Sequence, residues 1–96
     1  MPSSSQVVYT RDAFDDLARI GSKKMRANIR KRIIALQVFP QSGLKDPALP
    51  TSEQGVERRV TFVAPYAIRY SYLNAADILR VDAITDERNA TSVRFL

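Results

Sequence analysis

Apolar and polar positions along the chain change period once, near residue 55. Before that point apolar residues recur every three or four positions, the signature of helices. After it they alternate, the signature of strands. Residues 6–9, QVVY, are β-branched and aromatic and predict a short opening strand. Thr10 reads as an N-cap, with Asp12 in the first turn, where a carboxylate suits the positive helix end. Phe14, Leu17 and Ala18 give the stripe of a short helix, and Ile20-Gly21 ends it, with Gly21 in the left-handed position. Ser22 caps a second helix that runs to about Val38 and stops at Pro40. Met25, Ile29, Ile33 and Leu36 form its main apolar face, and Ala27, Ile34 and Val38 form a second face on the opposite side.

Residues 40–55 hold three of the five prolines and two of the three glycines and predict a long loop. VERRVTFV (56–63), YAIRYSYL (66–73) and ILRVDAIT (78–85) then alternate as strands, joined by turns at Ala64-Pro65 and NAAD, and predict an antiparallel meander. Tyr66, Ile68, Tyr70 and Tyr72 share the face that packs under the helices, and Ala67, Arg69, Ser71 and Leu73 share the other. The expected fold class is α+β, in the order β-α-α-β-β-β. An N-terminal strand and a helical hairpin pack on a small antiparallel sheet. Residues 1–96 read as one domain, and residues 1–5, MPSSS, as a mobile tail.

Composition narrows the chemistry. The chain has neither cysteine nor histidine, which speaks against disulfides, His/Cys zinc sites and imidazole catalysis. No cofactor and no metal are expected. Any catalysis falls to Lys, Arg, Tyr and carboxylates. No apolar run approaches the roughly 20 residues that span a bilayer and no signal peptide is visible, so the expected location is the cytoplasm, with no membrane partner. The formal charge is +5. Seven basic residues between positions 19 and 32, with no acid among them, follow a first helix that carries Asp12, Asp15 and Asp16. This predicts ion pairs across the hairpin.

The informative side chains are the strand arginines. Alternation can bring Arg59 beside Arg69, or Arg58 beside Arg80, according to a register that the sequence leaves open. Such a cluster, with Lys45 in the adjoining loop, suits a phosphodiester, because guanidinium groups grip phosphate bidentately. A tyrosine or lysine would then move the proton.

The element order, with AFDDLARI in the first helix and PYAIRYSYL followed by ADILRVDAITDERN, resembles the RelE/ParE superfamily of toxins from bacterial type II toxin–antitoxin modules. The resemblance spans Val7 to about Asn89. It implies a toxin that arrests growth, of the kind found in plasmid-stabilisation modules, and an antitoxin partner whose C-terminal segment wraps it. RelE-like members cut mRNA on the ribosome, and ParE-like members inhibit DNA gyrase. In the RNA-cleaving branch an arginine follows the tyrosine that matches Tyr66, whereas here that residue is Ala67, and Arg69 lies about 7 Å further along the strand. The nearest C-terminal aromatic residue is Phe95, which exchanges no proton. The resemblance therefore implies the ParE-like branch, a gyrase inhibitor acting by protein binding through Arg59, Arg69, Arg80 and Arg88. The alternatives are a ribosome-dependent endoribonuclease using Lys45, Arg58, Arg69, Arg88 and Tyr70, and an inactive binding module of the same fold. Antitoxin contact is expected at Ala27, Arg30, Ile34 and Val38.

Overall fold

In a computed structural model, which describes residues 5–46 and 55–88, the elements follow the sequence pattern with two additions. Strand β1 (Gln6–Tyr9) leads into helices α1 (Arg11–Arg19) and α2 (Lys23–Val38). A 3₁₀ turn (Pro40–Ser42) and a two-residue strand β2 (Leu44–Lys45) come next, where a loop was expected. The long strands β3 (Val56–Val63), β4 (Tyr66–Leu73) and β5 (Ile78–Asp86) complete the fold. The rest of the expected 40–55 loop, from 47 to 54, lies outside the described residues.

The five strands form one sheet in the order β1-β5-β4-β3-β2. The meander β3-β4-β5 is antiparallel as expected, but β1 pairs with β5 in parallel, so the sheet is mixed. The two helices supply the crossover that parallel pairing requires. The register between β4 and β5 slips at Arg69/Tyr70, pairing Arg69 with Ala83 and Tyr70 with Val81. Asp82 is the extra residue of this bulge.

Both helices are capped as their sequences suggest. Thr10 Oγ1 accepts from the Ala13 amide at 3.1 Å, and Ser22 Oγ accepts from Met25 N at 3.1 Å. Gly21 is not left-handed, because the chain turns through an extended Ile20 instead. The buried stripe of α1 is Ala13 and Leu17, continued by Ile20, whereas Phe14 points outward and is 64% exposed. On α2, Ile29, Ile33 and Leu36 are buried, with Met25 packed beside them. These meet Ile68, Tyr70, Leu79, Val81 and Ile84 of the sheet in one core. Each aliphatic side chain so buried contributes about 1.5–3 kcal/mol.

Among the described residues no ion pair joins α1 to α2. Asp16 instead accepts from Arg19 on its own helix and from the Ile84 amide at 3.0 Å, pinning α1 to β5. Arg32 of α2 reaches β3, donating to Thr61 Oγ1 at 2.9 Å and to the Phe62 carbonyl at 3.1 Å. Ser5, expected in a mobile tail, is buried. Its amide donates to the Gln37 carbonyl at 2.9 Å and its hydroxyl to Asp77 Oδ1 at 2.7 Å, because the parallel pairing of β1 carries it between α2 and the β4–β5 turn.

Candidate functional site

The two faces of the sheet receive different arginines. Register places Arg58 opposite Ser71 and Ser71 opposite Arg80. Arg58, Ser71 and Arg80 thus form one row on the face turned away from the helices, with Arg69 two residues along β4. Arg59 pairs with Tyr70 and lies on the helix side. Of the two pairings that the sequence left open, Arg58 with Arg80 is realised, and Arg59 with Arg69 is not.

Two of the open-face arginines, Arg69 and Arg80, are held by carboxylates of the same chain. Arg69 Nη1 meets Asp46 Oδ2 at 2.5 Å, and the Asp46 side chain is 1% exposed. Arg80 Nε donates to Asp82 Oδ1 at 2.6 Å. Ser71, fully buried, donates to Asp82 Oδ2 at 2.6 Å and accepts from Arg80 Nη2 at 3.3 Å and from Arg58 Nη1 at 3.5 Å, the outer limit of such a bond. Asp46, Ser71 and Asp82 were missed in the sequence. The available signals were a small polar residue among tyrosines and an acid between arginines. The bulge that brings Asp82 into line left no trace.

Arg59 is committed elsewhere. It donates to the Gly43 carbonyl at 2.7 Å and to Glu57 at 3.4 Å, and its buried Nε has no hydrogen-bond partner. It fastens the 3₁₀ turn to β3, on the opposite face from Arg69 and Arg80. Gln41 donates to Glu57 at 2.8 Å. That bond, helped by Arg59, holds the Glu57 carboxyl below its usual range despite opposing desolvation.

Tyr70 is 1% exposed. Its hydroxyl donates to the Pro40 carbonyl at 2.8 Å and accepts from the Gly43 amide at 3.0 Å. Burial pushes its pKa up, opposite to what a general base needs. In this structure it anchors the 3₁₀ turn. Lys45 sits opposite Arg59, again on the helix side and exposed. Arg88 follows the end of β5 and pairs with Asp86 at 2.8 Å. The candidate ribonuclease set is therefore divided: Arg58 and Arg69 share the open face, Lys45 and Tyr70 belong to the other, and Arg88 stands at the sheet end. Ala67 is fully buried between Phe62 and Thr85 of the neighbouring strands.

On the far side of α2, Ile34 is 60% and Val38 46% exposed, with Ala27 and Arg30 also exposed on that side. Phe39 extends the apolar surface. Val38, Phe39, Pro40, Tyr72 and Asn74 line an open cleft of about 550 Å³ at the helix end. Among the described residues no cluster of three or more carboxylates could hold a metal ion, and no helix is long and apolar enough to cross a membrane.

Comparison with known proteins gives a concordant picture. The family model described as the ParE toxin of the type II toxin–antitoxin system, parDE, matches residues 7–90. The chain has no match among curated protein sequences. Among solved structures, the archaeal RelE–RelB complex from Pyrococcus horikoshii is similar at a TM-score of 0.71 and 10% identity, over 86% of this chain and 94% of that one. The RelBE2 toxin–antitoxin complex of Mycobacterium tuberculosis is similar at 0.67 and 14% identity, over 90% and 94%. The intact E. coli RelBE complex is similar at 0.64 and 10% identity, over 86% and 96%. At these identities the likeness is one of fold.

Proposed function

The chain belongs to the ParE toxin family of type II toxin–antitoxin systems, within the RelE/ParE superfamily, and from that premise we propose that it acts by binding a protein target, DNA gyrase, and cuts no RNA. One observation carries this reading. Among the described strand residues, the open face bears arginines and acids but no histidine, lysine or tyrosine. General acid–base cleavage needs a group that exchanges a proton within reach of the phosphodiester. The nearest tyrosine, Tyr70, lies under the helices, and Asp46 and Asp82 are committed to arginines. A face of Arg69, Arg80 and the exposed Phe62 suits recognition of a protein. Arginine and aromatic residues are those that dominate protein interfaces.

Purified protein added to gyrase should block supercoiling and trap cleaved DNA. Unaffected supercoiling, or codon-phased mRNA ends in cells that express the protein, would replace this reading with the ribonuclease one, in which Arg58 and Arg69 would grip the phosphate.

The antitoxin is assigned to the outer side of α2. Ala27, Ile34 and Val38 form an unpartnered apolar stripe rimmed by Lys23, Lys24, Arg30 and Lys31, and α2 carries no acid. That surface fits an amphipathic segment with acidic flanks, the helix-in-groove mode of recognition. The solved complexes named above are toxins with their antitoxins, which supports such a partner here.

A further inference from the structure

Strand β1 lies at the edge of the sheet, and one side of its backbone is unused. Parallel pairing with β5 takes the Gln6 amide, which donates to the Asp77 carbonyl at 3.1 Å, and the Thr10 amide, which donates to the Val81 carbonyl at 3.0 Å. Backbone groups alternate in direction along a strand, so Val7 and Tyr9 turn theirs outward. Among the described residues no strand pairs with that side. Gln6 and Tyr9 are exposed, and Val7 and Val8 are half-buried. Natural sheet edges are blunted by shortness, lysine, proline or a bulge. The opposite edge follows this rule, since β2 has two residues and one of them is Lys45. The sequence QVVY has four residues and carries no charge, proline or bulge.

We infer that two copies of this chain join through β1, antiparallel about a two-fold axis at Val8, so that two sheets become one. The strand is complementary to itself in this register. Val7 of each copy meets Tyr9 of the other, and each such pair exchanges two backbone hydrogen bonds. Moving the axis one residue either way would call on the Ser5 amide, already given to the Gln37 carbonyl at 2.9 Å, or on Arg11, the first residue of α1. The side chains match as well. Val7 and Tyr9 oppose Leu79 and Val81 and so share the helix side, where a β-branched residue against an aromatic ring is a favourable cross-strand pair. Val8 opposes Arg80 and lies on the open side, against its own counterpart. The row Arg58, Ser71, Arg80, Val8 thus continues into its two-fold image, which sets two arginine rows on one surface. An isologous contact of this kind closes at the dimer. Repulsion enters through Arg30 of α2, which is close enough to act on the Tyr9 hydroxyl. The pairing is independent of which target the toxin takes.

The test follows sedimentation and amide hydrogen exchange of the full chain from about 10 μM to about 1 mM, the range that suits a short ladder. Mass should rise from monomer towards dimer and no further. The Val7 and Tyr9 amides should gain protection with concentration, while that of Val8, bonded within the sheet already, should not. Val8→Lys should weaken the dimer about tenfold or more, because like charges then face each other at the axis. Mixing Val8→Lys with Val8→Asp should restore it. Added salt should strengthen association by screening Arg30, and salt that weakens it overturns the self-pairing. Constant mass and exchange over the whole range overturn the inference, as does a dimer that Val8→Lys leaves unchanged. Protection of Val7 and Tyr9 that appears only when the antitoxin is added gives this edge to the antitoxin and overturns it too. If Val8→Lys does not fold, the concentration dependence of the native amides decides.

Discussion

Tyr70 and Gly43 are shaped to each other: the glycine amide donates to the tyrosine hydroxyl at 3.0 Å, and a β-carbon at position 43 would collide with that hydroxyl. The glycine is required by space, not by backbone conformation, since its φ is −75°. Gly43→Ala should destabilise the protein by about 1–3 kcal/mol, the usual range for overpacking. Tyr70→Phe should cost a similar amount, by leaving the Gly43 amide and the Pro40 carbonyl unpaired. Urea unfolding of the double variant should show less than the summed loss, because removing the hydroxyl relieves the collision.

The same hydroxyl makes the fold sensitive to alkali. Burial raises the Tyr70 pKa above the value near 10 of a free tyrosine. The neutral form is the one that the fold holds, so this stabilisation is complete below about pH 10. It is lost as pH rises through the folded-state value. Tyr9, raised by burial, and Tyr72, raised chiefly by its hydrogen bond to Asp77, act in the same direction. Phenolate absorbance and circular dichroism, followed together, should show unfolding shifted to higher pH in Tyr70→Phe relative to its own neutral-pH stability.

Thr10 joins a helix start to the bulge. Besides capping α1, its hydroxyl donates to the Asp82 carbonyl at 2.9 Å. Thr10→Ala should lower stability by about 1–2 kcal/mol. Thr10→Ser should recover most of that loss in the same thermal-unfolding measurement, since both bonds use the oxygen and not the methyl group.

Ile34 is exposed on α2 and absent from the core. Ile34→Asp should leave the melting temperature within a degree or two, because exposed substitutions shift stability by about 0.5 kcal/mol or less. It should weaken the cognate antitoxin by about tenfold or more in calorimetry, as a charge set into an apolar contact does. Unchanged affinity would move the antitoxin off this helix face.

Most elements were legible in the sequence because period and caps are local. Thr10, Ser22 and the alternation in β3, β4 and β5 each carry their message within a few residues. The direction of β1 was not legible, since QVVY alternates alike in either orientation and only tertiary packing decides. The face that Arg59 takes was not legible for a related reason. Its identity suggested recognition, but its parity on β3 puts it beside Tyr70 under the 3₁₀ turn. Phe14 stood in a helical stripe by spacing, but the face that meets β5 is set by Ala13 and Leu17. On the candidate site, the arginines were legible and their acids were not. Asp46 meets Arg69 only through the pairing of β2, a strand too short to show a period.

The parallel pairing of β1 with β5 has a consequence for synthesis. Strand β1 has its ladder partner in β5, and Thr10 waits for a carbonyl 72 residues downstream. Contacts so distant in sequence form late, after the cost of closing a long loop has been met. A nascent chain that stops before Ile78 lacks β5, the centre of the core and the Arg80–Asp82 half of the open face together. A chain broken anywhere before Ile78 thus loses the core and half of the arginine face in one step, so the surface cannot be assembled piecemeal.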